Sequence, residues 1–274
     1  MVKRPVLRYH GGKWRLAPWI ISHFPPHKVY VEPFGGGASV LLRKHRVTAE
    51  IYNDLDGEVV NLFAVLRDPV QAERLARATS LTPFARDEWE AAQVPTDEPI
   101  EQARRTLIKG WMGQSTKGVF KKSGFDVRMN PDDAHNSRIF GFADLPNHIV
   151  SYCKRLRGVV IENRPALQVI QNYDSAHTLF YIDPPYVLSA RTGSYYRHEM
   201  TDDDHRELAD LLQCVSGMVV LSGYDTPLYQ ELYGHWPCVT RVTTADGGAY
   251  RTEVLWLSPN IPSNQFHLEI SWGG

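Results

Sequence analysis

The sequence predicts an α/β fold built around a mostly parallel β-sheet. Short apolar segments alternate with stretches of helical periodicity over residues 1–67, and this alternation returns over residues 158–274. Strands separated by helices of about 10–15 residues are typical of parallel sheets. Residues 68–157 carry helical stretches without intervening strands. We therefore predict a sheet domain formed by 1–67 and 158–274, interrupted by a mostly helical domain over 68–157.

The first and middle parts of the chain predict the following elements. The first part has helices over 13–24, 38–45 and 56–68, and strands over 29–33 and 49–54. The middle part has helices over 69–80, 97–111 and 146–158, and a segment rich in Gly, Lys and Ser over 115–131.

The last part of the chain returns to alternation and ends in an antiparallel pair. It has strands over 158–163, 178–183 and 218–223, a helix over 165–173, and paired strands over 236–244 and 251–258. A further helix begins at Thr201, because three aspartates occupy its first turn, where carboxylates suit the helix dipole. That helix ends near Gly217.

The composition is that of an ordinary globular protein. Hydrophobic residues make up 43% of the 274 residues and charged residues 22%, which excludes a disordered tail or a fibre. No apolar run approaches the ~18 residues that span a bilayer, and the basic N-terminus lacks the apolar core of a signal peptide. The three cysteines lack the spacing of a disulfide framework or a zinc site. We expect a cytoplasmic protein without membrane partner or metal; the oligomeric state is open, and a monomer is compatible.

Basic residues concentrate in two segments of a chain that is nearly neutral overall. The net charge is −1, yet residues 1–28 contain six Lys or Arg and no acid, and residues 101–157 contain 11 Lys or Arg against five acids. Two basic segments on an acidic body favour a polyanionic partner that contacts only part of the molecule. Chance unevenness on a solvated surface is the alternative.

A glycine-rich turn follows the first predicted strand. Glu32-Pro33-Phe34 leads into Gly35-Gly36-Gly37, and a helix begins directly afterwards. Glycines allow a tight turn and a close approach to a ligand, and the helix N-terminus offers N–H groups. The G-x-G-x-x-G spacing is missing, which disfavours a dinucleotide dehydrogenase.

Asp54 stands at the end of the second predicted strand, about 20 residues after the glycines. An acid in this place can accept hydrogen bonds from ribose hydroxyls, so together with the glycine turn it favours a ribose-bearing cofactor. The alternative is that Asp54 or Asp56 caps the following helix.

The segment Asp183-Pro184-Pro185-Tyr186 is the most specific signal in the chain. Asp183 ends an apolar strand, at the edge where α/β sheets bind ligands. The two prolines fix the backbone and leave carbonyl oxygens without competing N–H donors. Such a turn can accept hydrogen bonds from a neutral amino group while its ring stacks on Tyr186. A stiff loop with a capping aspartate is the alternative.

Four ordered motifs, RYHGGKWRLA, VEPFGGGASV, YNDLD and DPPY, resemble the Dam-like class of DNA adenine-N6 methyltransferases of bacteria and phages. The resemblance covers essentially the whole chain and is weakest in the middle segment. It implies a Rossmann-like sheet that uses S-adenosylmethionine, with an inserted target-recognition domain over 68–157. The antiparallel strands at the end fit the sheet of such methyltransferases.

The resemblance also implies roles for particular residues. Those of the cofactor pocket are Tyr9, Lys13, Glu32, Phe34, Gly35, Gly37, Asp54 and Asp183. Those of the catalytic turn are Asp183, Pro184, Pro185 and Tyr186. The family often has Trp where this chain has Tyr9, so a stacking or hydrogen-bonding detail differs there.

The chemistry implied is methyl transfer to N6 of an adenine that is flipped out of double-stranded DNA. Cytosine-N4 methylation is the runner-up, although its enzymes usually have Ser where this chain has Asp183. Methylation of RNA or of a protein glutamine is a further alternative, and the latter usually shows Asn in that position. A catalytically silent DNA-binding protein with the same fold is an alternative of another class. The DNA sequence recognised and the biological role are left open.

The segment 115–130 is the predicted reader of DNA sequence. Its basic residues are Lys117, Lys121, Lys122 and Arg128, and two glycines suggest a hairpin. A β-ribbon fits the major groove, where lysines neutralise phosphates and an arginine can read a guanine edge. A solvated surface hairpin is the alternative. The loop 189–198 is a second candidate, as a lid or a DNA-contacting loop, and a plain mobile loop is the alternative.

Overall fold

The computed structural model describes residues 2–119, 124–126, 138–187, 196–244 and 250–262. Within these ranges helices and strands alternate at both ends of the chain. The strands are β1 (Val29–Glu32), β2 (Ala49–Asn53), β3 (Val160–Glu162), β4 (Thr178–Ile182), β5 (Met218–Gly223), β6 (Cys238–Thr244) and β7 (Tyr250–Leu257). The helices are α1 (Ala17–Ser22), α2 (Ser39–Arg43), α3 (Gly57–Arg67), α4 (Pro69–Ser80), α5 (Arg86–Ala91), α6 (Pro99–Met112), α7 (Arg138–Ala143), α8 (Leu145–Leu156), α9 (Ala166–Asn172), α10 (Asp202–Cys214) and α11 (Pro227–Tyr233), with a 3-10 helix at Thr116–Val119.

The described strands form one sheet of seven, in the order β3-β2-β1-β4-β5-β7-β6. Neighbours from β3 to β5 pair in parallel, and β7 lies antiparallel to both β5 and β6. The predicted α/β fold with a Rossmann-like sheet and an antiparallel pair at its end is confirmed. Central β4 is buried along its whole length, as expected for a parallel strand that is covered on both faces.

The two faces of the sheet bury separate apolar clusters. Helices α9, α10 and α11 cover one face, where Val169, Leu208 and Tyr229 pack against β4 and β5. Helix α3 covers the other face and also contacts α4, α6 and α8. Apolar residues of 68–157, such as Leu75 and Leu107, therefore belong to the same core cluster as Tyr52 on the sheet.

Local sequence signals explain where several helices begin. Asp56 caps α3 and Asp68 caps α4 through their side-chain oxygens. Thr201 and Asp204 form a reciprocal capping box at the start of α10, which confirms the predicted start. None of the helices in the described ranges is long and apolar enough to cross a membrane.

Candidate active site

A cavity lies where the carboxyl ends of β1, β2 and β4 meet. β1 pairs with β2 on one side and with β4 on the other, and the direction of the strand order changes between β1 and β4. Open α/β sheets bind ligands at such a point. Every residue that the sequence assigned to a cofactor lines this cavity: Tyr9, Lys13, Glu32, Phe34, Gly35, Gly37, Asp54 and Asp183.

The turn after β1 needs glycine because two tyrosine rings pack closely against it. A Cβ atom built on Gly35 would lie 2.2 Å from the Tyr52 ring, and one built on Gly36 would lie 2.6 Å from the Tyr9 ring. Gly36 also has a φ of +47°, a left-handed conformation that favours glycine. The Tyr52 hydroxyl donates to the Gly36 carbonyl at 2.8 Å. The protein's own packing therefore requires these glycines.

Asp54 connects the glycine turn to the segment that leads into α3. Its Oδ2 accepts from the Gly36 N–H at 2.7 Å and its Oδ1 from the Asp56 N–H at 2.8 Å. Burial raises the pKa of Asp54 to about 6, although these two hydrogen bonds oppose the rise. Asp56 is the residue that caps α3, by accepting from the Glu58 N–H, so the capping alternative holds for Asp56. Each Asp54 oxygen retains a lone pair for a ligand hydroxyl.

Glu32 is a buried carboxyl group at the end of β1. Its Oε2 accepts from the Tyr30 hydroxyl at 2.9 Å and from the Leu41 N–H of α2 at 3.0 Å. Burial raises the pKa of Glu32 to about 8, so the group is mostly protonated at neutral pH. Glu32 joins β1 to α2 and also lines the cavity.

Lys13 and Asp183 bring the first and the last predicted motifs into contact. Lys13 Nζ lies 2.9 Å from Asp183 Oδ1 and donates to the Gly11 carbonyl at 3.0 Å. Burial disfavours the charged form of Lys13, but the carboxylates of Asp183 and Glu253 outweigh burial and raise the pKa of Lys13. Burial raises the pKa of Asp183 to about 6, while Lys13 lowers it. Asp183 is therefore mostly ionised at neutral pH and lies beside the cavity.

Comparison with known families covers most of the chain. A profile described as D12 class N6 adenine-specific DNA methyltransferase matches residues 9–93 and 141–244. The chain belongs to this family. The methyltransferase transfers a methyl group to N6 of adenine in DNA, which decides against the cytosine-N4 alternative and against a catalytically silent DNA-binding protein.

Several curated relatives are similar to the methyltransferase over most of their length. The type II methyltransferase M.MjaIII of Methanocaldococcus jannaschii is 24% identical over 263 residues, covering 85% of this chain and 89% of the relative. The DNA adenine methylase of Serratia marcescens is 23% identical, covering 85% of this chain and 87% of the relative. The DNA adenine methylase of Escherichia coli strain K12 is also 23% identical, covering 89% and 91% respectively.

In the methyltransferase, a second carboxylate lies beside Lys13, and the sequence analysis missed it. Glu253 of β7 is 3% exposed, and its Oε1 lies 3.7 Å from Lys13 Nζ. The same oxygen accepts from the Tyr186 hydroxyl, and from the Ser222 hydroxyl at 2.7 Å. A charged residue within the apolar strand TEVLWL is the signal that could have drawn attention to it.

Tyr186 of the predicted catalytic turn is 9% exposed. Its ring lies 4.5 Å from the Tyr224 ring, edge to face, and Lys13 Nζ lies 4.7 Å from its centroid. Of the four turn residues, Asp183 and Pro185 line the cavity, whereas Pro184 and Tyr186 do not. The stacking role of Tyr186 stays a prediction.

Arg197 is a further residue of this site that the sequence did not single out individually. It lies near the end of the predicted 189–198 loop, and residues 189–195 of that loop fall outside the described part of the chain. Arg197 contacts Asp56 at 3.2 Å and Glu58 at 3.0 Å. Residues 196–200 thus line the cavity beside the start of α3.

Within the predicted DNA-reading segment, 115–130, the structure describes only 115–119 and 124–126. Lys121, Lys122 and Arg128 lie outside the described residues, as does the side chain of Lys117. Gly113 and Phe125 form an antiparallel bridge, so the chain reverses direction between them. Asp126, the acid of this segment, is buried and pairs with Arg138.

Proposed function

We propose that the methyl donor is S-adenosylmethionine, that it binds in the cavity at the ends of β1, β2 and β4, and that Asp183–Tyr186 receives a flipped adenine of duplex DNA. The observation that carries this proposal is the 2.9 Å contact between Lys13 and Asp183. It joins the N-terminal segment, which lines the cavity together with the glycine turn and Asp54, to the turn that carries the acceptors for an amino group.

The residues of the cavity fit this cofactor. Four carboxyl groups are among those lining it: Glu32, Asp54, Asp56 and Asp183. Carboxyl oxygens of this lining can accept hydrogen bonds from the ammonium group of S-adenosylmethionine. Asp54 can accept from the ribose hydroxyls, and Phe34 and Val40 add apolar surface. When bound, this cofactor supplies an electrophilic methyl group on sulfur.

Asp183 and the Pro184 carbonyl are the acceptors for the adenine amino group. The lone pair of N6 is delocalised into the ring, and hydrogen bonds from N6–H to these two oxygens favour a pyramidal nitrogen with an available lone pair. Positive charge develops on N6 during attack, and the Asp183 carboxylate stabilises it in a site with little water. The two prolines hold both acceptors in place, which contributes to a near-attack geometry.

The adenine has to leave the double helix in order to reach Asp183. The Asp183 side chain is only 16% exposed, so the amino group of a stacked base cannot approach it. Enzymes that act on bases in duplex DNA extrude the target nucleotide into a pocket. Tyr186 supplies the aromatic ring of the turn on which the flipped adenine stacks.

We assign recognition of the DNA sequence to the segment 68–157. The family profile leaves the residues between 93 and 141 unmatched, and that interval contains the four basic candidates, Lys117, Lys121, Lys122 and Arg128. A segment that departs from the family pattern is a reasonable place for a site preference particular to this enzyme. Lysines there neutralise phosphates and Arg128 reads a base edge.

Labelled methyl transfer from S-adenosylmethionine to unmethylated DNA tests the catalytic assignment. Asp183→Ala should abolish transfer while the protein stays folded, because the side chain lies at a strand end and not in a core cluster. Asp97→Ala, at an exposed position before α6, is the matched control and should keep wild-type transfer. Turnover near wild type in Asp183→Ala would refute the assignment.

Calorimetric titration with S-adenosylmethionine tests the cofactor assignment. Asp54→Ala should weaken binding by about 1–3 kcal/mol, the range for leaving a buried polar partner unpaired, and Lys13→Ala should also weaken it. Asp68→Ala removes the cap of α4 outside the cavity, and it should lower stability without changing affinity. Unchanged affinity in both Asp54→Ala and Lys13→Ala would remove these residues from the cofactor site.

A further inference from the structure

We propose that Glu253 is a positioning residue for methyl transfer, which sets Tyr186 and Lys13 before DNA arrives. This inference rests on the proposed function, because it concerns how the predicted catalytic turn is held. Glu253 lies on β7 and is a buried carboxylate next to the site.

The first argument is the energetic cost of placing a carboxylate there. Buried charges are unfavourable unless they are paired and hydrogen-bonded. Glu253 is followed in β7 by the buried apolar residues 254–257, so an apolar side chain would suit the strand equally well. Its polar contacts, and not its packing, explain why a carboxylate occupies this position.

The second argument is the convergence of three donors on one oxygen. Glu253 Oε1 accepts from the hydroxyls of Tyr186 and Ser222 and lies 3.7 Å from Lys13 Nζ. These partners come from three separate parts of the chain: the turn after β4, strand β5, and the N-terminal segment. Glu253 therefore connects side chains that are far apart in the sequence and that no local structure would bring together.

The third argument is that two partners of Glu253 belong to the predicted catalytic turn or contact it directly: Tyr186 is part of the turn, and Lys13 contacts Asp183. The Tyr186 hydroxyl fixes the rotation of the ring about its own bonds, and that ring belongs to the catalytic turn. Lys13 contacts Asp183 at 2.9 Å and also lies over the Tyr186 ring at 4.7 Å. Glu253, Lys13 and Tyr186 thus contact one another, Lys13 also contacts Asp183, and Glu253 itself does not line the cavity.

The test is a double-mutant cycle on kcat, with S-adenosylmethionine as donor and DNA from a host without adenine methylation as acceptor. Glu253→Gln keeps an oxygen acceptor for both hydroxyls but loses the charge that attracts Lys13, and Tyr186→Phe removes one donor. We expect each single variant to lower kcat about tenfold, with KM for DNA and affinity for S-adenosylmethionine nearly unchanged. Glu253→Leu and Tyr186→Phe each remove the contact between the Tyr186 hydroxyl and Glu253, so the variant that combines these two should be no slower than the slower of the two single variants.

A conservative series distinguishes positioning from bulk stability. Glu253→Leu removes acceptor and charge together, and its kcat should fall well below that of Glu253→Gln. Glu50→Gln is the matched control, because Glu50 is a buried strand carboxylate paired with Lys44 and Arg155 and does not line the cavity. It should lower the melting temperature and leave kcat unchanged.

Three results would overturn the inference. They are a wild-type kcat in Glu253→Gln, losses that multiply in the double variant, or a fall in kcat in Glu50→Gln that matches the one in Glu253→Gln. If Glu253→Gln does not fold, Tyr186→Phe alone carries the test, and a wild-type kcat in it would overturn the inference. Failure of the proposed function is distinct, because it requires that the wild-type protein not transfer methyl groups from S-adenosylmethionine, or that Asp183→Ala remain active.

Discussion

At the scale of single residues, Lys13 is the side chain that organises the site. Its ammonium group is shared between Asp183 and Glu253 and also lies over an aromatic ring. Two carboxylates this close to each other would otherwise repel, and one of them would take up a proton. With Lys13 between them, Asp183 can remain ionised at neutral pH and accept hydrogen bonds from an amino group.

The pH dependence of turnover follows from this arrangement. Burial raises the pKa of Asp183 to about 6, and the protonated form loses acceptor capacity and negative charge. We therefore expect kcat to be constant above that value and to fall about tenfold per pH unit below it. Rates measured at saturating DNA and S-adenosylmethionine check this, and Asp183→Asn should give a low and flat profile. A wild-type plateau that extends down to about pH 4, near the ordinary pKa of aspartate, would contradict it.

At the scale of elements, the turn after β1 combines backbone strain with close packing. Gly36→Ala should destabilise the protein by about 2–4 kcal/mol, because it adds both left-handed strain and a clash with the Tyr9 ring. Gly158→Ala separates the two effects, since Gly158 has a φ of +82° and no atom within 4 Å of its added Cβ. Urea unfolding of both variants provides the comparison. Equal losses in the two would show that the clash contributes nothing.

The sequence predicted most elements and the motif residues that line the cavity, but it missed Glu253, did not single out Arg197 and did not reveal the contacts within the site. Each strand of the described sheet was predicted, because alternation and apolar runs are local signals. Helices α5, α7 and α11 were not predicted, whereas α1 and α9, which are equally short, lie within longer segments that were predicted as helices. Lys13 and Asp183 were each assigned from their motifs, yet their ion pair depends on the order of strands in the sheet.

Glu253 is the clearest example of a site residue that the sequence alone does not reveal. It is 67 residues from Tyr186 along the chain and belongs to no motif. Only the antiparallel placement of β7 against β5 brings it beside Ser222 and the catalytic turn. A contact that arises from sheet topology leaves no spacing in the sequence from which it could be predicted.

Substitutions in the basic segment that the family profile leaves unmatched are the most informative test of DNA recognition. Lys121→Ala should weaken binding to all DNA sequences and lower the salt dependence of the binding constant by about one unit. Arg128→Ala should cost about 1–3 kcal/mol on the true site and relax the preference at one base pair. Binding titrations at several salt concentrations measure both effects. If deletion of 117–127 changed neither affinity nor site preference, recognition would have to lie elsewhere, first in 189–198.

At the scale of the whole molecule, the middle segment and the sheet share apolar packing. Leu75, Leu107 and Tyr152 from 68–157 belong to one core cluster with Phe63 of α3 and Tyr52 of β2. Arg155 of α8 also reaches Glu50 of β2 at 2.6 Å. The assignment of recognition to this segment is a proposal about function, whereas its packing is continuous with that of the sheet.

Unfolding experiments can test this continuity. We expect one cooperative transition in urea, with the same midpoint by far-UV circular dichroism and by tryptophan fluorescence. Replacement of 68–157 by a short linker should leave the sheet segments unable to fold, because it would expose the apolar face of α3. Two separate transitions, or a soluble folded sheet without the middle segment, would contradict the expectation.

The position of β7 in the sheet affects the order in which the parts of the site are completed during translation. β7 follows β6 in the chain but is inserted between β5 and β6 in the sheet, so the sheet has a gap until translation has passed β7. Glu253 arrives with that strand, after every other group of the site has been synthesised. The turn after β4 therefore gains its contact with Glu253 only once translation has passed β7.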